Sequence, residues 1–261
     1  MKPDILIKRF RKKIQRGKAF YGPFMKTGDP MFVEIAGLAG FDFAILDMEH
    51  GPVSLQEQQN NVRAAVARDI LPIIRVNDLS ENSIGSALDI GACGIQVPQI
   101  ANAEEAKCVV DYARFYPYGK RGVCRFVRAA DYSAKDRNKY FQESKDIIIV
   151  IQIEGREAIE DLDNILQVKG IDIIFIGPYD LSQSLGVPGQ IDNPVVVNEI
   201  KKITKKAKLS GKTIGTFVDQ LSYIHFWKKY GIKYLSYNTD AGIFMEACKN
   251  IIDNINKKQS D

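Results

Sequence analysis

The apolar and polar positions of this chain fall into two alternating patterns. Short, nearly unbroken apolar runs occupy Ala19–Phe24, Phe43–Leu46, Leu71–Val76, Gly94–Pro98, Ile147–Ile153, Ile171–Ile176, Thr213–Phe217 and Lys233–Tyr237. Stretches with helical spacing follow each in turn, at Pro30–Ala39, Leu55–Arg68, Glu81–Ile90, Ala103–Phe115, Arg156–Val168, Pro194–Ser210, Gln220–Lys229 and Gly242–Asn256. Apolar runs this continuous belong to strands buried on both faces, which is how parallel strands returned by helices read. Eight such units, after an opening helix near residues 4–16, predict an α/β fold in which the sheet closes into a (β/α)8 TIM barrel. The rival is an open doubly wound sheet, but no G-x-G-x-x-G follows any of the strands.

The punctuation agrees with these elements. Ser54 before Leu55, with Glu57 three residues on, reads as a capping box, and Gly170, Gly211 and Gly231 stand where helices should end. There is no linker rich in Pro, Gly or Ser and no low-complexity run, so one domain over 1–261 is expected, with 1–18 as a basic N-terminal helix. One connection departs from the scheme: Tyr116–Asp146 runs about thirty residues, longer than compact domains favour. It opens with the turn-rich, basic YPYGKRG at Tyr116–Gly122, and Asn138–Ser144 reads as a short helix packing an extension that could lie over a subunit neighbour.

Composition changes this picture little: 45% hydrophobic and 26% charged residues are ordinary for an enzyme-sized domain. The net charge of +4 gathers in the opening helix, where Lys2, Lys8, Arg9, Arg11, Lys12, Lys13, Arg16 and Lys18 face only Asp4. Such a helix can meet nucleic acid or cover the bottom of a domain with a solvated face; no aromatic-interleaved basic patch follows, which argues against nucleic acid. The opening has no apolar run and no window is long and apolar enough to span a membrane, so the expected place is the cytoplasm. Cys93, Cys108, Cys124 and Cys248 lie far apart, without C-x-x-C spacing, and read as isolated thiols.

In a closed barrel, chemistry gathers at the C-terminal ends of the strands. The residues there are Lys26, Asp47, Glu49, His50, Arg75, Gln99, Gln152, Glu154, Asp180, Asp219, Asn238 and Asp240, a set more polar than filler requires. Glu154 stands next to last in IVIQIEG and Asp180 ends IIFIGPYD, each where a strand gives way to the next segment. Two carboxylates on one rim suit a hard divalent cation such as Mg²⁺, although each could also be a plain polar cap. His50 can move a proton near neutrality, with Asp47 able to fix its tautomer, or it can cap the Gly51-Pro52 turn. His225, mid-helix beside Phe226 and Trp227, reads as structural.

Arg75 ends the apolar run LPIIRV, where a guanidinium needs an anion: a substrate carboxylate or oxyanion, or an internal pair with Asp47 or Glu49. The Gly177-Pro178 turn could offer backbone N–H groups to a carboxylate. No lysine ends strand five, six or seven, and Lys26 in KTGDP reads as solvated, so a Schiff base has no obvious seat. Carbonyl activation then falls to the cation, which could take the keto and carboxylate oxygens of a 2-oxo acid and stabilise an enolate.

At these residues the chain resembles the metal-dependent class II pyruvate aldolases, of the 4-hydroxy-2-oxoheptanedioate and 2-keto-3-deoxy-L-rhamnonate aldolase type, related to the citrate lyase β-chain group. The resemblance runs from about Gly22 to Cys248, through GPFMKTGDP, FDFAILDMEHGP, LPIIRV, LDIGACGIQVPQIANAEEA, YPYGKRGV, VIQIEGREAI and GIDIIFIGPYDLSQSLG. It implies metal binding by Glu154 and Asp180 with Gln152 close by, acid–base work by His50 supported by Asp47, and enolate stabilisation by Arg75. It further implies that Gly177-Pro178 holds the substrate carboxylate, and that the chain forms a hexamer which exchanges its last helix. In such a hexamer Asp89 reaches a neighbouring subunit's site. Met48, Tyr179 and Phe24 depart from the family's usual Gly, small residue, and Trp or Leu, which leaves the aldehyde partner open.

The implied function is a lyase that uses Mg²⁺, Mn²⁺ or Co²⁺ to cleave a 4-hydroxy-2-oxo acid into pyruvate and an aldehyde through a metal-stabilised enolate. Alternatives are a related carbon–carbon lyase acting on a malyl or citryl thioester or on oxaloacetate, and a non-catalytic oligomeric barrel serving as a scaffold.

Overall fold

The computed structural model describes residues 2–257; Met1 and 258–261, to which the expectation of one domain over 1–261 also extends, lie outside the described residues. Among the described residues, eight strands form the barrel: β1 (Phe20–Met25), β2 (Phe43–Asp47), β3 (Leu71–Arg75), β4 (Gly94–Val97), β5 (Ile148–Ile153), β6 (Ile173–Ile176), β7 (Thr213–Val218) and β8 (Tyr234–Thr239). All pair in parallel in sequence order, and β8 returns to β1 to close the ring. The helices are α1 (Pro3–Gln15), α2 (Pro30–Leu38), α3 (Leu55–Ala67), α4 (Glu81–Asp89), α5 (Ala103–Ala113), α6 (Arg137–Glu143), α7 (Arg156–Glu160), α8 (Leu162–Gln167), α9 (Pro178–Ser184), α10 (Pro194–Leu209), α11 (Leu221–Tyr230) and α12 (Asp240–Lys257). No helix among the described residues is long and apolar enough to cross a membrane.

Strand alternation divides the apolar side chains into two layers. Ile45, Ile73, Val150, Ile173 and Phe175 face the barrel axis, while their neighbours Leu46, Ile74, Ile151 and Ile174 pack outward under the helices. Helix α1 closes the bottom: Leu6, Ile7 and Phe10 join the interior layer, and the Phe10 ring stacks 4.5 Å from that of Phe20. Its basic side chains reach the strand-entry loops, with Arg11 pairing with Asp172 at 2.6 Å and Lys13 with Asp42. The charge of the opening helix therefore fastens a plug to the barrel floor. Burial pushes the Cys93 thiol up to about 12, so this cysteine is a core filler.

The capping box of Ser54 and Glu57 is present, and Gly170, Gly211 and Gly231 all take positive φ at helix ends, where a Cβ would strain the turn. Two local features differ from expectation. The stretch Arg156–Val168 breaks into α7 and α8 at Asp161, whose carboxylate is drawn to Ala103 N (2.7 Å) and Asn164 Nδ2 (2.6 Å). Gly177-Pro178, read as a turn, starts the short helix α9 with Pro178 in its first turn, where a missing N–H costs nothing.

The long connection lies on the bottom face, away from the strand ends. It carries a 3₁₀ turn at Arg128–Ser133, then α6, and a small core in which the Phe115 ring meets Tyr140 at 5.3 Å and Phe141 at 5.2 Å. Helix α12 touches β1 and β8 at its start. Beyond that, Phe244, Ile251, Ile252 and Ile255 remain 49–62% exposed, so its apolar stripe does not close its own barrel.

Candidate active site at the barrel rim

Inward parity runs from the apolar interior straight to the rim. Asp47 and Arg75 lie two residues beyond the inward Ile45 and Ile73, and the parallel register sets Asp47 beside Arg75 and Arg75 beside Gln96. The Arg75 fork donates to both oxygens of the fully buried Asp47, Nε to Oδ1 at 2.8 Å and Nη2 to Oδ2 at 2.7 Å. Nη1 pairs with Glu49 Oε2 at 2.8 Å, and the guanidinium carbon stands 4.6 Å from the Phe24 ring centroid. The internal pair expected as one use of Arg75 is thus present with both candidate acids. It leaves two of the five N–H groups for a ligand.

The Asp47 carboxylate, expected beside His50, meets it here through the backbone. It accepts from Arg75 and from the backbone N–H groups of Glu49 (3.1 Å) and His50 (3.3 Å), and so shapes the β2 exit that carries His50. The acid nearest the ring is Glu49, with Oε2 3.9 Å from His50 Nε2. The His50 side chain is 55% exposed and lines the cleft, placed where it can exchange protons with a ligand or solvent.

Across the rim, Glu154 is 6% exposed. One oxygen accepts from Gln99 N at 2.8 Å and the other from Gln152 Nε2 at 3.0 Å. Gln152 in turn accepts from Gln96, so its amide positions Glu154 while lining the cleft where a substrate contact is expected. Burial, with the negative charges of Asp180 and Glu49, pushes Glu154 up to about 7. Gly177 leaves it room: a Cβ there would come within 2.3 Å of Glu154 Oε2.

Glu154, Asp180, Gln152, His50, Arg75, Gly177 and Pro178 share one cleft of about 300 Å³. Asp89 does not join them: it ends α4 toward the bottom face and accepts from Arg121 Nη2 at 2.6 Å. Asp240 holds Lys26 N, Thr27 N and Thr27 Oγ1 at 2.8–3.1 Å, a clamp between β8 and the β1 exit. Asp219 accepts from the Tyr179 hydroxyl at 2.6 Å, Gln99 Nε2 donates to Glu49 Oε1, and Asn238 accepts from Thr239 N. His225 lies on the exposed side of α11.

Lys26, read as solvated, lines the cleft with Nζ 4.0 Å from Asp47 Oδ2. Gln96 is not among the rim residues the sequence offers, although a lone amide in the apolar run Gly94–Val97 is its signal. Phe175 and Phe217 also line the cleft unannounced, because an inward aromatic looks like core in a linear sequence.

Among the described residues, no group of three or more His, Cys, Asp or Glu side chains is arranged to hold a metal ion. The candidate ligands are the two carboxylates, Glu154 and Asp180. An all-oxygen pair suits a hard cation that keeps water or takes ligand oxygens for the rest of its shell. Burial first, and then the charge of Asp180, raise Glu154, and a cation offsets both, so the residues fit such an ion.

Residues 21–234 match the family model described as HpcH/HpaI aldolase/citrate lyase. A 2-keto-3-deoxy-L-rhamnonate aldolase of Escherichia coli is 30% identical over 243 residues, covering 93% of this chain and 91% of that protein. An HpcH/HpaI aldolase/citrate lyase family protein from Burkholderia cenocepacia J2315 superposes with a TM-score of 0.91 at 25% identity, covering 95% of this chain and 99% of that one. The HpcH/HpaI aldolase from Desulfitobacterium hafniense DCB-2 gives 0.88 at 29% identity, covering 94% and 95%. Sequence and fold agree over nearly the whole barrel, and the chain belongs to the HpcH/HpaI aldolase/citrate lyase family.

Proposed function

We propose that the chain cleaves a 4-hydroxy-2-oxo acid into pyruvate and an aldehyde, and runs the reverse addition, with a divalent metal as cofactor. The observation that carries this reading is the meeting on one cleft of the Glu154–Asp180 pair, an arginine fixed by two acids, and an exposed histidine. A cation, Mg²⁺, Mn²⁺ or Co²⁺, held by Glu154 and Asp180 would supply Lewis-acid polarisation of the 2-oxo group.

The chain's own residues divide the remaining work. His50 takes the proton of the 4-hydroxyl as that carbon becomes the aldehyde carbonyl. The bond between the third and fourth carbons breaks, and its electron pair moves into the pyruvate enolate, whose oxygen charge meets the free N–H groups of Arg75. Asp47 and Glu49 hold that guanidinium still, so no reorganisation accompanies the charge. The substrate carboxylate lies against Gly177-Pro178, where the first N–H groups of α9 have no helical acceptor. A proton returned to the third carbon completes pyruvate. Protein stripped of metal should release no pyruvate from a 4-hydroxy-2-oxo acid and regain activity on addition of Mg²⁺ or Mn²⁺. Full turnover in the presence of chelator, or none with any metal, would overturn the assignment.

The same reading extends to assembly. We propose a homo-oligomer, a hexamer by likeness to the family, in which α12 is exchanged and Asp89 serves a neighbouring cleft. Support comes from the stripe of Phe244, Ile251, Ile252 and Ile255, left uncovered by its own barrel. Light scattering should give about six times the chain mass. Placing Asp at both Ile251 and Ile252 should shift it to smaller species, and a monomeric wild type at micromolar concentration would count against exchange.

A further inference from the structure

A second cavity, of about 570 Å³, opens between α10 and α11 and shares Pro178 and Phe217 with the rim cleft. That is within the size range of small-molecule pockets. Val197 and Ile200 of α10 and Phe226 and Trp227 of α11 make its sides apolar. Two polar ends give it direction. Near the rim, Asp192 accepts the Tyr223 hydroxyl, and its charge would repel another carboxylate.

At the far end stands Lys201. Its ammonium lies 4.5 Å from the Tyr230 ring centroid and 5.6 Å from that of Phe226. Among the described residues it has no carboxylate partner, whereas its neighbour Lys202 pairs with Glu199 at 3.0 Å. Lys201 follows Pro194, the first residue of α10, by seven positions, or roughly 10 Å along the helix. The cavity therefore offers a cation without a carboxylate partner, mostly apolar walls along roughly 10 Å of α10, and a negative rim end that disfavours a second acid.

We propose that this cavity binds an apolar monocarboxylate of medium chain length, its carboxylate at Lys201 and its tail against Pro178 and Phe217. The site lies beside the rim cleft and shares Pro178 and Phe217 with it.

Trp227 is the chain's single tryptophan, so its emission reports on the cavity. Titration of the whole protein with octanoate should give a saturable change in that emission. Octanol, which lacks the charge, should bind about tenfold more weakly, as one partly buried ion pair allows. Lys201→Glu should weaken octanoate by about tenfold or more and Lys201→Arg should restore it. Val197→Phe should block the channel, with circular dichroism confirming the fold of each variant. Absence of a saturable change in wild type, equal affinity for octanol and octanoate, or undiminished binding by folded Lys201→Glu would each overturn the proposal. The readout is binding, so these results are independent of whether the protein cleaves a 2-oxo acid.

Discussion

Glu154→Gln is expected to weaken Mn²⁺ binding and to lower pyruvate release by about two orders of magnitude or more, the effect of losing a Lewis acid worth several kcal/mol. The substitution is conservative in shape. Glu154 is buried, its oxygens are fixed by Gln99 N and Gln152, and Gly177 leaves just the space that the carboxylate fills. What changes is charge. Burial and Asp180 already push the acid up to about 7, so the cation-free protein holds a proton there for part of the time near neutrality, and the amide copies that protonated form permanently. The variant should therefore fold, because Gln96 and Gln152 can turn their amides to meet the new donor. Calorimetric titration with Mn²⁺ is the measurement. A folded variant with wild-type affinity would remove Glu154 from the ligand set.

The sequence was most informative where one strand or one helix carries the information. The eight apolar runs became the eight strands, since a parallel barrel buries both faces of each and leaves a continuous signal. Glu154, Asp180, His50 and Arg75 converge because each directly ends or follows a strand. Contacts between elements were harder to read. The pair of Arg75 with Asp47, 28 residues away, was open to the sequence as one use of the arginine, but only strand register shows that the fork takes both Asp47 oxygens. Asp240, counted among the rim acids, spends its oxygens on loop amides from β1 because β8 and β1 are neighbours only once the barrel closes. Asp89, expected to serve a neighbouring subunit, is carried by α4 toward the opposite end of its own barrel, where Arg121 takes it up.

The second large effect separates Arg75 from His50, and burial decides which variants can show it. Arg75→Ala would leave Asp47, fully buried, without its partner, at a stability cost of about 3–5 kcal/mol. Arg75→Lys keeps the charge but loses the fork, so it is the better probe. It should slow every reaction that passes through the pyruvate enolate, including oxaloacetate decarboxylation. His50 is exposed and carries no structural bond through its ring among the described contacts, so His50→Ala should fold normally. It should slow aldol cleavage by about 10²–10⁴-fold, the usual worth of a positioned acid–base group. Decarboxylation has no hydroxyl proton to remove, and the same variant should retain much more of it. The deciding quantity is the ratio of aldol cleavage to decarboxylation at matched pH and saturating metal: lowered by His50→Ala, nearly constant for Arg75→Lys. Equal losses of both activities in His50→Ala, with metal affinity intact, would mean that His50 serves the enolate as well and that the proton on the aldehyde side leaves by another route.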